Sequence, residues 1–370
     1  MNLTTRTLPR RRRDVSDAER RLAWVGSALA TAVLAAALVW SVAPAAGPYS
    51  EGGAPVQQVL GVPGTALVAA ALQGVAAAIA LTTGILLLAG RATSGSVAAW
   101  LVLGSTGMTA LGLVGFDGIV IAGYTLAFFV PPVIVTLVPL LARRAPVAST
   151  VLAAAVAAIA LLGVFGVFPV LSFYTRYLAA VAGDPARFAT SLVLTAFVGV
   201  WALWAVSVLT RRSVRAGAFV QRHRVALAVA AAAAALPYVF VRATWLTPWP
   251  LFGGSRDLFA ANPDVQVVGL MLGAAMLTGA ILTLGLVLPW GERAPRWVPA
   301  VGGRPVPVAL AAVPAAVVAT LFTAGGLQLL ALTATGDLSI ETALILPFWA
   351  WGPLLGLATW GYVRHRAASA

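Results

Sequence analysis

The sequence predicts an all-α fold, a polytopic integral membrane helix bundle of about ten transmembrane helices with both termini in the cytoplasm. The first observation is the composition: 61% of the residues are hydrophobic and 9% are charged, whereas soluble domains have about 45–50% and about 25%. The second is a series of apolar runs of about 20 residues, a length that crosses a bilayer core of about 30 Å. The third is the distribution of arginines between those runs.

Ten apolar runs follow one another along the chain. Their centres lie near Ala32, Ala76, Leu103, Val130, Ala158, Val198, Ala232, Ala274, Val318 and Leu354. They divide the chain into a basic cytoplasmic tail over residues 1–21, one membrane-embedded domain over residues 22–363 and a second basic tail over residues 364–370. The first run lies between a basic segment and Ala43-Pro44-Ala45, as in a signal peptide, but its length favours an uncleaved first span.

The basic residues predict the orientation. All 24 are arginine, and a cytoplasmic N-terminus places 20 on the inner side and four, Arg176, Arg187, Arg242 and Arg256, on the outer side. Cytoplasmic loops of membrane proteins carry an excess of positive charge. The split therefore supports the span count and the orientation. The absence of lysine and the abundance of alanine, arginine, glycine and valine indicate a bacterial genome, and helical spans indicate the plasma membrane.

The net charge of +13 predicts a partner as well. We expect the inner arginines to contact anionic lipid headgroups at the cytoplasmic face. We expect no nucleic acid, because no basic stretch is interleaved with stacking aromatic residues. The chain has no cysteine, and His223 and His365, its two histidines, lie among inner arginines. The sequence therefore predicts no cofactor, no metal site and no catalytic residue.

Arg242 is the principal candidate for a functional role. It lies near the outer end of the seventh span, and a segment with two tryptophans flanked by prolines follows it. One interpretation is that its side chain reaches the outer surface or pairs with an acid such as Asp117 or Asp264. The other is anion recognition, because a guanidinium matches phosphate and carboxylate. The predicted ligand-binding residues are Arg242, Trp245, Trp249, Arg256 and Arg176.

Prolines within the spans predict helix breaks that line a cavity. The candidates are Pro131, Pro132, Pro237, Pro347 and Pro353. Broken helices expose carbonyls that bind ions or polar groups. Proline is also frequent in ordinary spans, so both interpretations stand.

Small and polar residues in the spans predict helix packing. Gly269-Xaa-Xaa-Xaa-Gly273 permits a close approach of helix backbones, which favours packing within the bundle over homodimerisation. Gln73 and Gln328 are expected to form interhelical hydrogen bonds. Asp264, just before the eighth span, is expected to cap a helix.

Three functions are compatible with these patterns. The leading hypothesis is a permease-like or lipid-handling protein with an outward-facing cavity for an anionic or amphipathic ligand. The second is a non-catalytic membrane scaffold or assembly partner with a basic cytoplasmic face. The third is an enzyme resembling a lipid-linked glycosyl transferase, which requires Glu51 or Asp117 to converge with the outer arginines.

Overall fold

The computed structural model describes residues 17–50, 54–60, 65–91, 95–142, 146–164, 170–212, 214–296, 298 and 302–368. Within those ranges the chain forms helices and connecting turns, and the only β-pairing is an isolated bridge between Arg293 and Pro305. The predicted class, a polytopic helical membrane bundle, is confirmed.

Sixteen α-helices are described. They are α1 (Asp17–Val42), α2 (Pro55–Leu60), α3 (Thr65–Leu88), α4 (Ser96–Thr109), α5 (Gly115–Ala142), α6 (Pro146–Val164), α7 (Val170–Gly183), α8 (Pro185–Arg212), α9 (Val214–Arg222), α10 (Arg224–Ala233), α11 (Leu236–Thr244), α12 (Arg256–Ala261), α13 (Pro263–Leu284), α14 (Val308–Thr335), α15 (Ile340–Ile345) and α16 (Phe348–Ala368).

Eight helical segments of the described chain are long and apolar enough to cross a membrane. They are Glu19–Val42, Thr65–Leu88, Ser96–Thr125, Pro185–Leu209, Arg224–Thr244, Pro263–Leu284, Val308–Thr335 and Ile340–Ala368. The two remaining predicted centres, Val130 and Ala158, lie in α5 and α6. The count of ten spans and the cytoplasmic termini stay predictions.

The bundle is held by glycines and tryptophans at helix crossings. An added Cβ at Gly326 or Gly352 would collide with the backbone of the opposite helix, so α14 and α16 pack closely. On the other side of the core, Trp201 of α8 is fully buried and donates from Nε1 to the carbonyl of Gly26, at 3.0 Å. Small residues thus bring backbones together where water cannot drive their association.

The polar residues expected to link helices do so. Gln73 donates from Nε2 to the Val33 carbonyl at 3.0 Å and accepts from the Tyr49 hydroxyl at 3.2 Å. Gln328 accepts from the Phe116 amide at 2.6 Å. Because buried polar groups are costly when unpaired, these bonds stabilise the packing of α3 against α1 and of α14 against α5.

Both terminal helices extend into residues expected to be tails. Helix α1 begins at Asp17, within the predicted tail 1–21, and α16 continues through residues 364–368. The C-terminal residues are fixed by contacts, since Arg366 donates to the carbonyls of Gly291, at 3.3 Å, and Val306, at 2.9 Å. The clusters of charged residues in the sequence therefore did not show where these two helices begin and end.

Candidate functional site

A cavity of about 420 Å³ lies between α5, α7, α8, α11 and α13. Its size falls within the range of about 300–1,000 Å³ that is usual for small-molecule sites. The lining residues are Tyr124, Phe173, Arg176, Tyr177, Ala180, Phe188, Arg242, Trp245, Asp264, Val265, Val268, Gly269 and Leu272. Helix α11 ends here, and α8 and α13 begin here, so the cavity lies at the end of the bundle that the arginine distribution predicts to face outwards.

Arg242 is half-buried in this cavity and is held by aromatic rings. Its guanidinium carbon lies 3.9 Å from the ring centroid of Trp245 and 4.8 Å from that of Tyr238. Its Nε atom is buried without a hydrogen-bond partner, and among the described residues no carboxylate pairs with the guanidinium. The side chain is therefore positioned by ring stacking, while its Nε donor has no acceptor in the described part of the chain.

A break in the seventh span and two glycines explain how Arg242 reaches this position. The helical hydrogen-bond pattern is interrupted at Ala234 and Ala235, which keep helical dihedral angles, and α11 begins with Pro237 in its first turn, where proline is tolerated. Opposite α11, an added Cβ at Gly273 would lie 2.7 Å from the Arg242 Cβ, and one at Gly269 would collide with the Trp245 indole. The Gly269–Gly273 motif thus packs within the chain, as predicted.

The Trp245 indole lies against the Arg242 guanidinium and is held in place by hydrogen bonds. Its Nε1 donates to the Leu251 carbonyl at 2.8 Å, and its own carbonyl accepts from Gln266 Nε2 at 2.6 Å. The indole is buried and packs against Phe259, with ring centroids 4.9 Å apart. The loop after α11 therefore folds back onto its own tryptophan.

A second arginine in the cavity is already paired. Arg176 of α7 forms a salt bridge with Asp264 of α13. The Asp264 side chain is 13% exposed, whereas that of Arg176 is 70% exposed. Two arginines and one aspartate give the charged groups of the lining a formal charge of +1.

Aromatic rings form the opposite wall. The ring centroids of Tyr124 and Phe173 are 6.4 Å apart, and those of Tyr177 and Phe188 are 5.9 Å apart. The Tyr177 hydroxyl also lies 2.9 Å from the Thr125 hydroxyl, which fixes α7 against α5. The wall offers flat apolar faces with few polar atoms.

Three of the five predicted ligand-binding residues meet in this cavity: Arg242, Trp245 and Arg176. Trp249 and Arg256 do not line it. Trp249 is 77% exposed, and Arg256 donates from Nε to the Pro248 carbonyl at 2.9 Å. The loop reverses direction between Trp245 and Ser255, so proximity in sequence to Arg242 does not place these two side chains beside it.

Asp264 has a different role from the one predicted. The N-cap of α13 is Asn262, and Asp264 lies within the first turn and pairs with Arg176. In the sequence, an aspartate just before an apolar run resembles a helix cap. Its salt-bridge partner, Arg176, lies 88 positions earlier in the chain, so no local pattern could indicate the pair. Tyr124, Phe173 and Phe188 were also missed as cavity residues, since aromatic residues at span ends are common at membrane interfaces.

The five prolines differ in their effect on the helices. Pro237 and Pro347 lie at breaks, the first between α10 and α11 and the second between α15 and α16. Pro131 and Pro132 in α5 and Pro353 in α16 lie within continuous helices, because neighbouring helices can compensate for one missing hydrogen bond. Pro132, Pro237, Pro347 and Pro353 are not among the described residues that line the cavity, and the side chain of Pro131 lies outside the description.

Asp117, one of the two acids considered for catalysis, does not line this cavity. Asp117 forms a salt bridge with Arg187 and borders a separate cavity of about 20 Å³. Glu51 lies outside the described residues. In the described part of the chain, no cluster of three or more histidine, cysteine, aspartate or glutamate residues could hold a metal ion.

The fold defines this chain as a multi-spanning helical membrane protein. No protein-family model, curated protein or solved structure matches its sequence or fold.

Proposed function

We propose that the protein binds a small amphipathic anion in the cavity around Arg242, as a permease-like or lipid-handling protein of the plasma membrane. The observation that carries the proposal is the guanidinium of Arg242, which is stacked between rings, faces the cavity and has no carboxylate partner among the described residues. A ligand oxygen in the cavity would accept hydrogen bonds from this guanidinium.

Charge and geometry favour an anion over a neutral ligand. A guanidinium presents donors in a planar fork that matches carboxylate or phosphate. The guanidinium of Arg242 lies over the rings of Trp245 and Tyr238, and the residue lines the cavity. The lining contains two arginines and one aspartate, and its net positive charge also favours an anion.

The rest of the lining favours an amphipathic molecule. Aromatic rings from α5, α7 and α8 face the aliphatic side chains of Val265, Val268 and Leu272 on α13. Burial of apolar surface stabilises a complex by about 25 cal/mol per Å². A ligand with a flat apolar body and one anionic group fits both walls.

Three small molecules that share one benzyl group test the proposal. We expect the protein in lipid nanodiscs to bind benzyl phosphate, measured by calorimetric titration, at least about tenfold more tightly than benzyl alcohol, because charged hydrogen bonds contribute about 1.5–3 kcal/mol. Benzylamine should bind most weakly. Equal affinities for all three would contradict anion recognition. Uptake of labelled benzyl phosphate into proteoliposomes separates a permease from a protein that binds without transport.

Asp264 should limit the affinity of the site. In Asp264→Asn the salt bridge to Arg176 is lost and a negative charge leaves the cavity, so we expect benzyl phosphate to bind about tenfold more tightly. Unit charges about 4 Å apart interact by about 4 kcal/mol at an effective dielectric of about 20, and the exposure of Arg176 reduces that value. Stability should fall by about 1 kcal/mol or less, since an acid in the first turn of a helix is favourable. Weaker binding by the variant would show that Asp264 holds the site together instead.

A further inference from the structure

Helix α9 lies where the chain passes between two membrane spans. The preceding span ends at Leu209 in α8 and the following one begins at Arg224 in α10. Nine residues at 1.5 Å each make α9 about 14 Å long, too short to cross a core of about 30 Å. It therefore runs along the membrane boundary, on the side where the arginine distribution predicts cytoplasm.

One face of α9 is docked on the bundle. Val220 is 1% exposed, and its carbonyl lies 3.3 Å from the position that a Cβ on Gly361 of α16 would occupy. An added Cβ at Gly217 would collide with the guanidinium of Arg364, which also belongs to α16. These contacts fix the rotation of α9 about its axis.

The opposite face presents two arginines and a phenylalanine. Arg215, Phe219 and Arg222 are spaced at i, i+4 and i+7, so they share one side of the helix, and all three are exposed. Phe219 is 54% exposed and stacks on His223, with ring centroids 4.4 Å apart. Neither arginine takes part in an ion pair within the described chain, and no acid occurs from Arg211 to Arg224.

We propose that this face of α9, defined by Arg215, Phe219 and Arg222, is a binding site for anionic phospholipid headgroups. The ring would enter the boundary between headgroups and acyl chains, and the two guanidiniums would bind phosphates on either side of it. Interfacial helices combine an aromatic residue with basic residues in this way. The positive charge of this face complements an anionic leaflet.

The inference is independent of the cavity around Arg242, which lies where α11 ends, at the other end of the seventh span. Each basic residue near an anionic surface contributes a preference of about fivefold. Two arginines therefore predict a preference for anionic over zwitterionic lipid of about 25-fold. Salt should weaken it, since about 1 M salt shortens the screening length to about 3 Å.

The test is a lipid titration of the full-length protein in detergent. Dioleoyl phosphatidylglycerol should raise the midpoint of thermal unfolding at concentrations about 25-fold lower than dioleoyl phosphatidylcholine. The double substitution Arg215→Gln and Arg222→Gln should reduce the preference for the anionic lipid by about 25-fold, whereas replacing both residues by lysine should retain most of it. Arg256→Gln, which removes an exposed arginine at the opposite end of the bundle, is the matched control and should leave the preference intact.

Two results would overturn the proposal. One is an undiminished preference for phosphatidylglycerol in the double glutamine variant. The other is a wild-type protein that does not distinguish the two lipids, which would assign the basic face to a protein partner or to topology alone. Both arginines are exposed, so the substitutions should leave the fold intact. The unfolding midpoint of the variant without lipid checks this.

Discussion

Replacing Arg242 by glutamine should weaken the binding of benzyl phosphate by about 10- to 100-fold while changing the free energy of unfolding by about 1 kcal/mol or less. The loss of affinity follows from a charged hydrogen bond worth about 1.5–3 kcal/mol. The small effect on stability follows from the absence of an ion pair: no carboxylate in the described chain is left unpaired by the substitution. Stacking on two rings is lost, at about 0.5–2 kcal/mol, but so is the desolvation of the buried Nε.

Two further variants make this prediction specific. Arg242→Lys keeps the charge but removes the planar fork, so its affinity should lie between those of wild type and Arg242→Gln. Arg256→Gln removes an arginine of the same outer region whose side chain is bonded to Pro248 outside the cavity, and it should bind like wild type. A strongly destabilised Arg242→Gln protein would assign Arg242 a structural role. Equal losses of affinity in the Arg242 and Arg256 variants would show that general positive surface charge, and not a specific site, attracts the ligand.

The fold class could be predicted from the sequence because lipid imposes it. Backbone polar groups must be satisfied within each segment that crosses the hydrocarbon core, so long apolar runs become helices with little influence from their neighbours. Eight of the ten predicted centres lie in helical segments long enough to span. The helix ends were harder to place, since α1 and α16 continue into residues whose charge alone resembles a disordered tail.

The cavity could be predicted only in part, because its members come from helices far apart in the chain. Arg242 and Trp245 were visible as an unusual pair at one span end, and a single helical turn keeps them together. The Arg176–Asp264 salt bridge depends on how α7 packs against α13, which no local pattern records. Trp249 was predicted to line the site but does not, because the direction of its loop is set by hydrogen bonds such as that from Trp245 to Leu251.

The sequence also predicted the close packing of Gly269 and Gly273, though not what they contact, and it did not predict the close approach at Gly326 and Gly352. The Gly269–Gly273 spacing indicated close packing of a partner, and that partner is α11 with its two site residues. A glycine motif usually indicates a backbone contact. Here the space at Gly269 is filled by an indole ring, so the motif belongs to the site as well as to the bundle.

Replacing Gly269 by alanine should therefore abolish benzyl phosphate binding and destabilise the protein. The new methyl group would overlap the buried Trp245 ring, and the ring cannot move without losing its hydrogen bond to Leu251 and its contact with Arg242. Overpacking of this kind costs about 1–3 kcal/mol. The better helix propensity of alanine offsets about 1 kcal/mol of that cost. The loss of binding, measured by calorimetric titration, should therefore be larger than the loss of stability, measured by thermal unfolding in nanodiscs.

Gly279→Ala, on the same helix, is a control that separates the effect of steric overlap with a ring from the effect of the helix propensity of alanine. Its added Cβ would lie 3.9 Å from the Trp351 ring, an ordinary contact, so this variant gains the propensity of alanine without the overlap. We expect it to unfold at a slightly higher temperature than wild type and to bind benzyl phosphate normally. If Gly269→Ala behaved in the same way, the Trp245 ring would have room to move, and the positioning of Arg242 by a fixed indole would be wrong. A Gly269→Ala protein that keeps wild-type stability yet loses binding would instead show that the indole moves at little cost and that its position is required by the ligand.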